Sequence, residues 1–213
     1  MPFNNFLFPR KILLALFGGV FLPGCLASNL FPDEQSQTET QAVLRNEVIV
    51  SAPTGYCLSS AAPRTDGTVL FGSCAALRQT SFVGSLPHGA VVVVSVGVKI
   101  EHDLNDVFSE HLQGFFATET GHTALSQSDD ANAMTIHANT IEDDVLFLRI
   151  EDQSDNFETA LDRTYWRGVL PINGHLVSIS VFSSTVTPIS RAEGREILEA
   201  FVHEMETENV EMS

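Results

Sequence analysis

Asn173-Gly174 stands between two apolar-rich segments, Arg163 to Ile172 and His175 to Ser183. This dipeptide is preferred in two-residue type I′ turns, where both central residues take positive φ and Gly does so without steric cost. So short a turn forces the flanking segments to pair antiparallel, in a register that the turn sets. Gly89 to Ile100 adds a second constraint. Every even position from Ala90 to Ile100 is apolar (Ala90, Val92, Val94, Val96, Val98, Ile100), while the odd positions turn polar or small after Val93. A period of two predicts a strand with one face buried throughout.

Further strands are predicted at Glu47 to Val50, at Thr68 to Phe71, which Gly72 closes, and at Val145 to Ile150. Two segments carry helical spacing instead. From Leu104 to Phe115 the apolar residues are Leu104, Val107, Phe108, Leu112 and Phe115, with Asp103 placed as N-cap. From Arg191 to Thr207 the stripe is Ile197, Leu198, Phe201, Val202 and Met205, after a capping pair of Ser190 and Glu193. Gly194 weakens that helix by roughly 1 kcal/mol relative to Ala. Antiparallel strands with a central amphipathic helix and a C-terminal helix packed on the sheet define an α+β fold.

From about Val145 to the C-terminus, this Asn-Gly hairpin followed by a loop and a terminal helix resembles the PsbP/Mog1-type α+β fold. The resemblance implies a helix lying across the sheet. That fold group hosts many functions, so the likeness implies no particular one.

The N-terminus reads as an address. No acidic residue occurs from Met1 to Lys11, the basic pair Arg10-Lys11 closes that region, and an eleven-residue apolar run from Ile12 to Leu22 follows. The run is too short for a spanning helix, which needs about 18 to 20 apolar residues, and it has the layout of a secretory signal peptide. Leu22-Pro23-Gly24-Cys25 resembles the lipobox of bacterial lipoproteins, although Pro23 departs from the usual residue. The resemblance implies cleavage before Cys25 and diacylglycerol on its sulfur; Leu26 after it implies sorting to the outer membrane. Ordinary cleavage after Ala27 is the alternative, leaving a soluble periplasmic protein. The organisation expected is a signal peptide over 1–24, a lipidated flexible tether over 25–44 and one globular domain over 45–213. Asp33 to Gln41 is an unbroken polar run, which cannot bury enough apolar area to offset its ordering entropy.

Charge narrows the partners. The chain carries 27 acidic against 11 basic residues, a formal charge of −16; without residues 1–24 it keeps 9 basic residues and stands at −18. Phosphate backbones and anionic lipid surfaces need clustered cations, so nucleic acid is excluded as a default partner. The expected contacts are the membrane, through the lipid, and a basic protein surface, with encounter rates raised by charge.

With Cys25 assigned to lipid, Cys57 and Cys74 form the remaining pair in an oxidising setting. A loop at Arg64-Thr65-Asp66-Gly67 would set them opposite each other in one hairpin, and a structural disulfide is expected. The alternative is a nucleophilic Cys74 with a distant His as base. Seven histidines raise the question of a metal, the densest group being Glu101-His102-Asp103, Asp106, Glu110-His111, Glu119 and His122. No His-Glu-x-x-His, Cys-x-x-Cys or EF-hand pattern accompanies them, and they read as the solvated and semi-buried flank of a helix. No cofactor or metal ligand is assigned. The adjacent pairs Asp129-Asp130 and Asp143-Asp144 read as loop edges. Tyr165-Trp166-Arg167 predicts a core Trp opposite a surface Tyr and Arg, an aromatic and arginine patch.

There is no Gly-x-Ser-x-Gly elbow, Ser-x-x-Lys dyad or Gly-rich phosphate loop, and no catalytic residue is assigned. The expectation is a non-enzymatic envelope lipoprotein, a binding or assembly module. The alternative is an exported hydrolase or thiol enzyme whose groups meet from distant positions.

Overall fold

The structure is a computed structural model and describes residues 40–59, 67–79, 89–100 and 108–210. The Asn-Gly hairpin sits at its centre. Strands β8 (Thr164–Ile172) and β9 (His175–Ser183) pair antiparallel with Ile172 opposite His175. Asn173 and Gly174 take φ of 50° and 78°, as a type I′ turn requires. Strand β9 pairs on its other edge with β5 (Ala90–Lys99).

Ala90, Val92, Val94 and Val96 of β5 are buried as the alternation predicts, but Val98 is 71% exposed. The cause is a bulge. Val96 faces Val177 and Lys99 faces His175, so β5 carries one extra residue there and the face presented by even positions changes. Burial of one face therefore stops at Val96.

The main sheet runs β3 (Tyr56–Leu58), β4 (Thr68–Ser73), β5, β9, β8, β7 (Val145–Asp152) and β6 (Met134–Glu142), with every neighbouring pair antiparallel. A separate two-stranded sheet joins β1 (Gln41–Leu44) to β2 (Val48–Ser51). The α+β class stands. The tether boundary moves: Gln41–Leu44, placed by sequence in the flexible stretch, is a strand, because Leu44 is 5% exposed and joins the core beside Val48 and Val50.

Helix α4 (Arg191–Val210) covers one face of the sheet together with the β1–β2 hairpin. Its predicted stripe holds: Leu198, Phe201, Val202 and Met205 are buried and Ile197 packs against them. Phe201 meets Phe71 and Tyr56 edge-on, with ring centroids 5.4 and 5.3 Å apart. Each such buried apolar side chain contributes about 1.5 to 3 kcal/mol. The N-terminal capping box forms, with Glu193 N–H donating to Ser190 Oγ at 3.2 Å and Ser190 N–H donating to Glu193 Oε2 at 2.7 Å.

The opposite face holds Leu146, Leu148, Ile150, Phe157, Tyr165 and Phe182 under α2 (Phe108–Phe116) and α3 (Glu119–Leu125). Because both faces are covered, β7 reads as a continuous apolar run rather than an alternation. The start expected for α2, with Asp103, Leu104 and Val107, lies outside the described residues. Phe116 is its buried aromatic, and Phe115, expected in the stripe, is 39% exposed. Leu112 and Phe116 lie four residues apart and face the sheet together, which turns Phe115 outward. A short helix α1 (Cys74–Gln79) follows β4. Among the described residues, no helix is long and apolar enough to cross a membrane.

Candidate functional site

Register places Arg149 of β7 opposite Trp166 of β8, and Trp166 opposite Val181 of β9. Cross-strand partners point to one face, here the face that α4 covers. Where the first turn of α4 meets this row, a cleft of ≈ 140 Å³ opens, bounded by Arg149, Thr164, Trp166, Ser183, Ser190 and Arg191.

Trp166 is the only Trp of the chain and is 9% exposed. Its Nε1–H donates to the Arg191 carbonyl at 3.0 Å, and the guanidinium groups of Arg191 and Arg195 stand 5.8 and 5.5 Å from the ring centroid. Gly194 lets the helix come this near: a Cβ there would lie 3.2 Å from Trp166 Cδ1. The pyrrole edge of the indole is thus held against the first turn of α4.

The charges around it differ in their partners. Arg195 lies over the Phe147 ring at 3.5 Å and is ion-paired with Glu142 at 2.7 Å and Glu199 at 2.6 Å. Among the described residues, neither Arg149 nor Arg191 has a carboxylate partner. Glu151, two residues along β7, is engaged by His137 at 2.8 Å and by Gln153. Those hydrogen bonds, His137 first, hold its carboxyl below the usual range, and the Arg149 charge adds to them. Asp162, which also lines the cleft, accepts from Thr164 N–H at 2.9 Å. Two of the cleft hydroxyls serve the backbone: Ser183 Oγ accepts from Ile189 N–H at 3.1 Å, and Ser190 Oγ caps α4.

Tyr165, expected at the surface, is 3% exposed. It packs on the other face against Phe182, ring centroids 4.5 Å apart, and burial pushes its hydroxyl pKa up. The reason is that α2 and α3 give this side of β8 a core of its own. Arg167 lies 5.4 Å from the Tyr165 ring and donates to Ser180 Oγ at 2.9 Å.

Cys57 and Cys74 stand at disulfide distance, Cα atoms 5.0 Å apart. They are not opposite each other, because Cys57 faces Gly72 and Cys74 opens α1 just past the end of β4. Arg64 to Asp66, where the loop was expected, lie outside the described residues, as does Cys25. So do Glu101, His102, Asp103 and Asp106. Glu110 and His111 are exposed on α2 and Glu119 is exposed on α3. Among the described residues no three His, Cys, Asp or Glu side chains are placed to hold a metal. Asp143 and Asp144, with φ of 48° and 63°, make the β6–β7 turn, consistent with their reading as a loop edge.

Two of the cleft residues, Arg149 and Arg191, escape short-motif reading. A compositional signal was present: beyond Lys99 every basic residue is an arginine (Arg149, Arg163, Arg167, Arg191, Arg195), and all five lie on or beside β7, β8 and the start of α4.

No protein-family model matches the chain, and no curated protein sequence does. Solved structures similar to it include a point mutant of protein Mog1 and the Ran-binding protein Mog1p of Saccharomyces cerevisiae. Each is 14% identical, with 80% of this chain and 92% of that one covered, at a TM-score of 0.37. Similarity at that level carries no inference about ligand or partner.

Proposed function

We propose that the protein is a cell-envelope lipoprotein, held at the periplasmic side of the outer membrane by an acylated Cys25. Its domain is a non-enzymatic binding or assembly module for a basic protein partner. The observation that carries this reading is the Cys57–Cys74 pair at disulfide distance. Such a pair belongs to an oxidising compartment, in keeping with an apolar leader that ends at Leu22-Pro23-Gly24-Cys25. Pairing also removes Cys74 as a free nucleophile, which weighs against the thiol-enzyme alternative. The exposed outer edge of α4, with Glu193, Glu196 and Glu199, offers a basic partner an acidic surface.

The test is mass spectrometry of the protein extracted from its native membrane. An acylated N-terminal Cys25 and one linked Cys57–Cys74 peptide are expected, and partners captured with the lipidated protein should dissociate as salt rises. An N-terminus at Ser28 would overturn the anchoring. Quantitative alkylation of both thiols without reductant would revive the enzyme.

A further inference from the structure

We infer that the cleft between Arg149 and Arg191 binds a small oxyanion, the carboxylate or phosphate group of a ligand, against the Trp166 ring. The first ground is the distribution of ion pairs. Carboxylates outnumber cationic side chains 27 to 11, so a cation that lacks one does not lack it through scarcity. Arg195 has two carboxylates, Lys99 has Glu47, Arg163 donates to the carbonyls of Asp152 and Ser154, and Arg167 donates to Ser180. Arg149, half-buried in the sheet, has no such partner, and Arg191 across the cleft uses its guanidinium only over Trp166. Leaving a half-buried guanidinium unpaired is unfavourable, and a bound anion would relieve it.

The second ground is how the neighbouring acids are disposed. Glu151, although it feels the Arg149 charge, is engaged by His137 and Gln153, and Asp162 by the Thr164 amide, and neither forms an ion pair with the two arginines. At the helix terminus, Ser190 accepts from the amides of Glu193 and Gly194. The guanidinium forks of Arg149 and Arg191 suit planar or tetrahedral oxyanions. A volume of ≈ 140 Å³ is well below that of drug-sized pockets and admits a head group rather than a whole large ligand. The site stands independently of the envelope reading.

Because Trp166 is the only Trp, its emission reports directly on the cleft. The full-length protein in detergent would be titrated with inorganic phosphate, and separately with acetate, at constant ionic strength. A saturable change with half-saturation below about 10 mM is expected for at least one anion, together with a rise in melting temperature. Arg149→Gln and Arg191→Gln should each weaken it about tenfold, the scale of one charge-assisted hydrogen bond. Arg167→Gln, on the opposite face, should leave it unchanged, and Asp162→Asn should tighten it. Saturation by phosphate alone assigns a phosphate group, by acetate alone a carboxylate, and by both a site that accepts either. A response to neither anion, or one that survives both Arg→Gln changes, would overturn the proposal. If Arg149→Gln does not fold, the exposed Arg191→Gln and the wild-type melting shift carry the test.

Discussion

Asn209 on α4 pairs with Ile49 on β2 as a neighbouring strand would. Its Oδ1 accepts from Ile49 N–H at 2.9 Å, and its Nδ2 donates to the Ile49 carbonyl at 2.8 Å and to the Met205 carbonyl at 2.7 Å. Asn173 of the central turn joins the same group, donating to Asn209 Oδ1 at 3.2 Å and to the Glu47 carbonyl at 2.7 Å. One amide that is 4% exposed thus ties the N-terminal hairpin, the last helix and the β8–β9 turn together. The β1–β2 hairpin, too small to be stable alone, is held on the sheet face by this contact and by Leu44, Val48 and Val50.

Asn209→Ala should therefore cost more than a surface change. It strands the Ile49 amide and carbonyl, and a buried group left without a partner costs about 1 to 3 kcal/mol. Urea unfolding should show that loss, and amide exchange should speed up over β1 and β2 before the rest of the sheet. Equal stability of wild type and variant would mean that water replaces the amide fully.

The capping box predicts a loss at the other end of α4. Ser190→Ala should lower stability by about 1 kcal/mol, the usual worth of such a cap. The Ser190 backbone and hydroxyl hold the Glu193 carboxyl below the usual carboxylate range. A depressed acid contributes fully above its unfolded value, and that contribution is lost as pH falls through the folded value. Glu193→Gln should thus flatten the acid limb of the stability profile, and an unchanged limb would place the cap's worth elsewhere.

Gly194→Ala tests the seating of Trp166. In an open helix the change would add about 1 kcal/mol of stability. Here the new methyl would lie 3.2 Å from Trp166 Cδ1, and that ring is tied by its N–H to Arg191. The gain should be absent and the Trp emission should shift. A full gain with unchanged emission would show that the indole can move aside.

Much of this architecture was legible in the chain because local signals and tertiary packing agree. Asn173-Gly174, the stripe of α4 and its Ser190–Glu193 box are each fixed by nearby residues. What escaped depends on distant ones. Strand β6 was missed because a bulge between Ile136 and Ala138 shifts its apolar phase, so Ile136, Ala138 and Ile141 do not alternate evenly. Its turn uses Asp143-Asp144, which reaches positive φ without glycine and resembles any acidic loop. The cleft was half legible. Trp166 beside Arg167 drew attention to the right strand, but Arg149 and Arg191 meet Trp166 only through sheet register and helix docking, and Arg167 itself points to the other face.

Glu206 provides a pH prediction of opposite sign to Glu193. It faces a cleft lined by Glu142, Asp143, Phe147, Arg195 and His203. Burial first, then the carboxylates of Asp143 and Asp144, push its pKa above the usual carboxylate value, while His203 pulls it down. A raised acid binds its proton more tightly in the folded state. Its contribution is full below the unfolded value and is lost as pH rises through the folded one. Glu206→Gln keeps the amide neutral at every pH, so the variant should lose the stability decline that wild type shows above the ordinary carboxylate range. Glu193→Gln should leave that decline intact and alter only the acid limb, and the double variant should show both changes, since the two positions are more than three helical turns apart. Melting curves of the three variants across pH 3 to 8, a window of roughly two units on either side of the shifted groups, check the pair together. A decline in Glu206→Gln equal to that of wild type would overturn its assignment to Glu206.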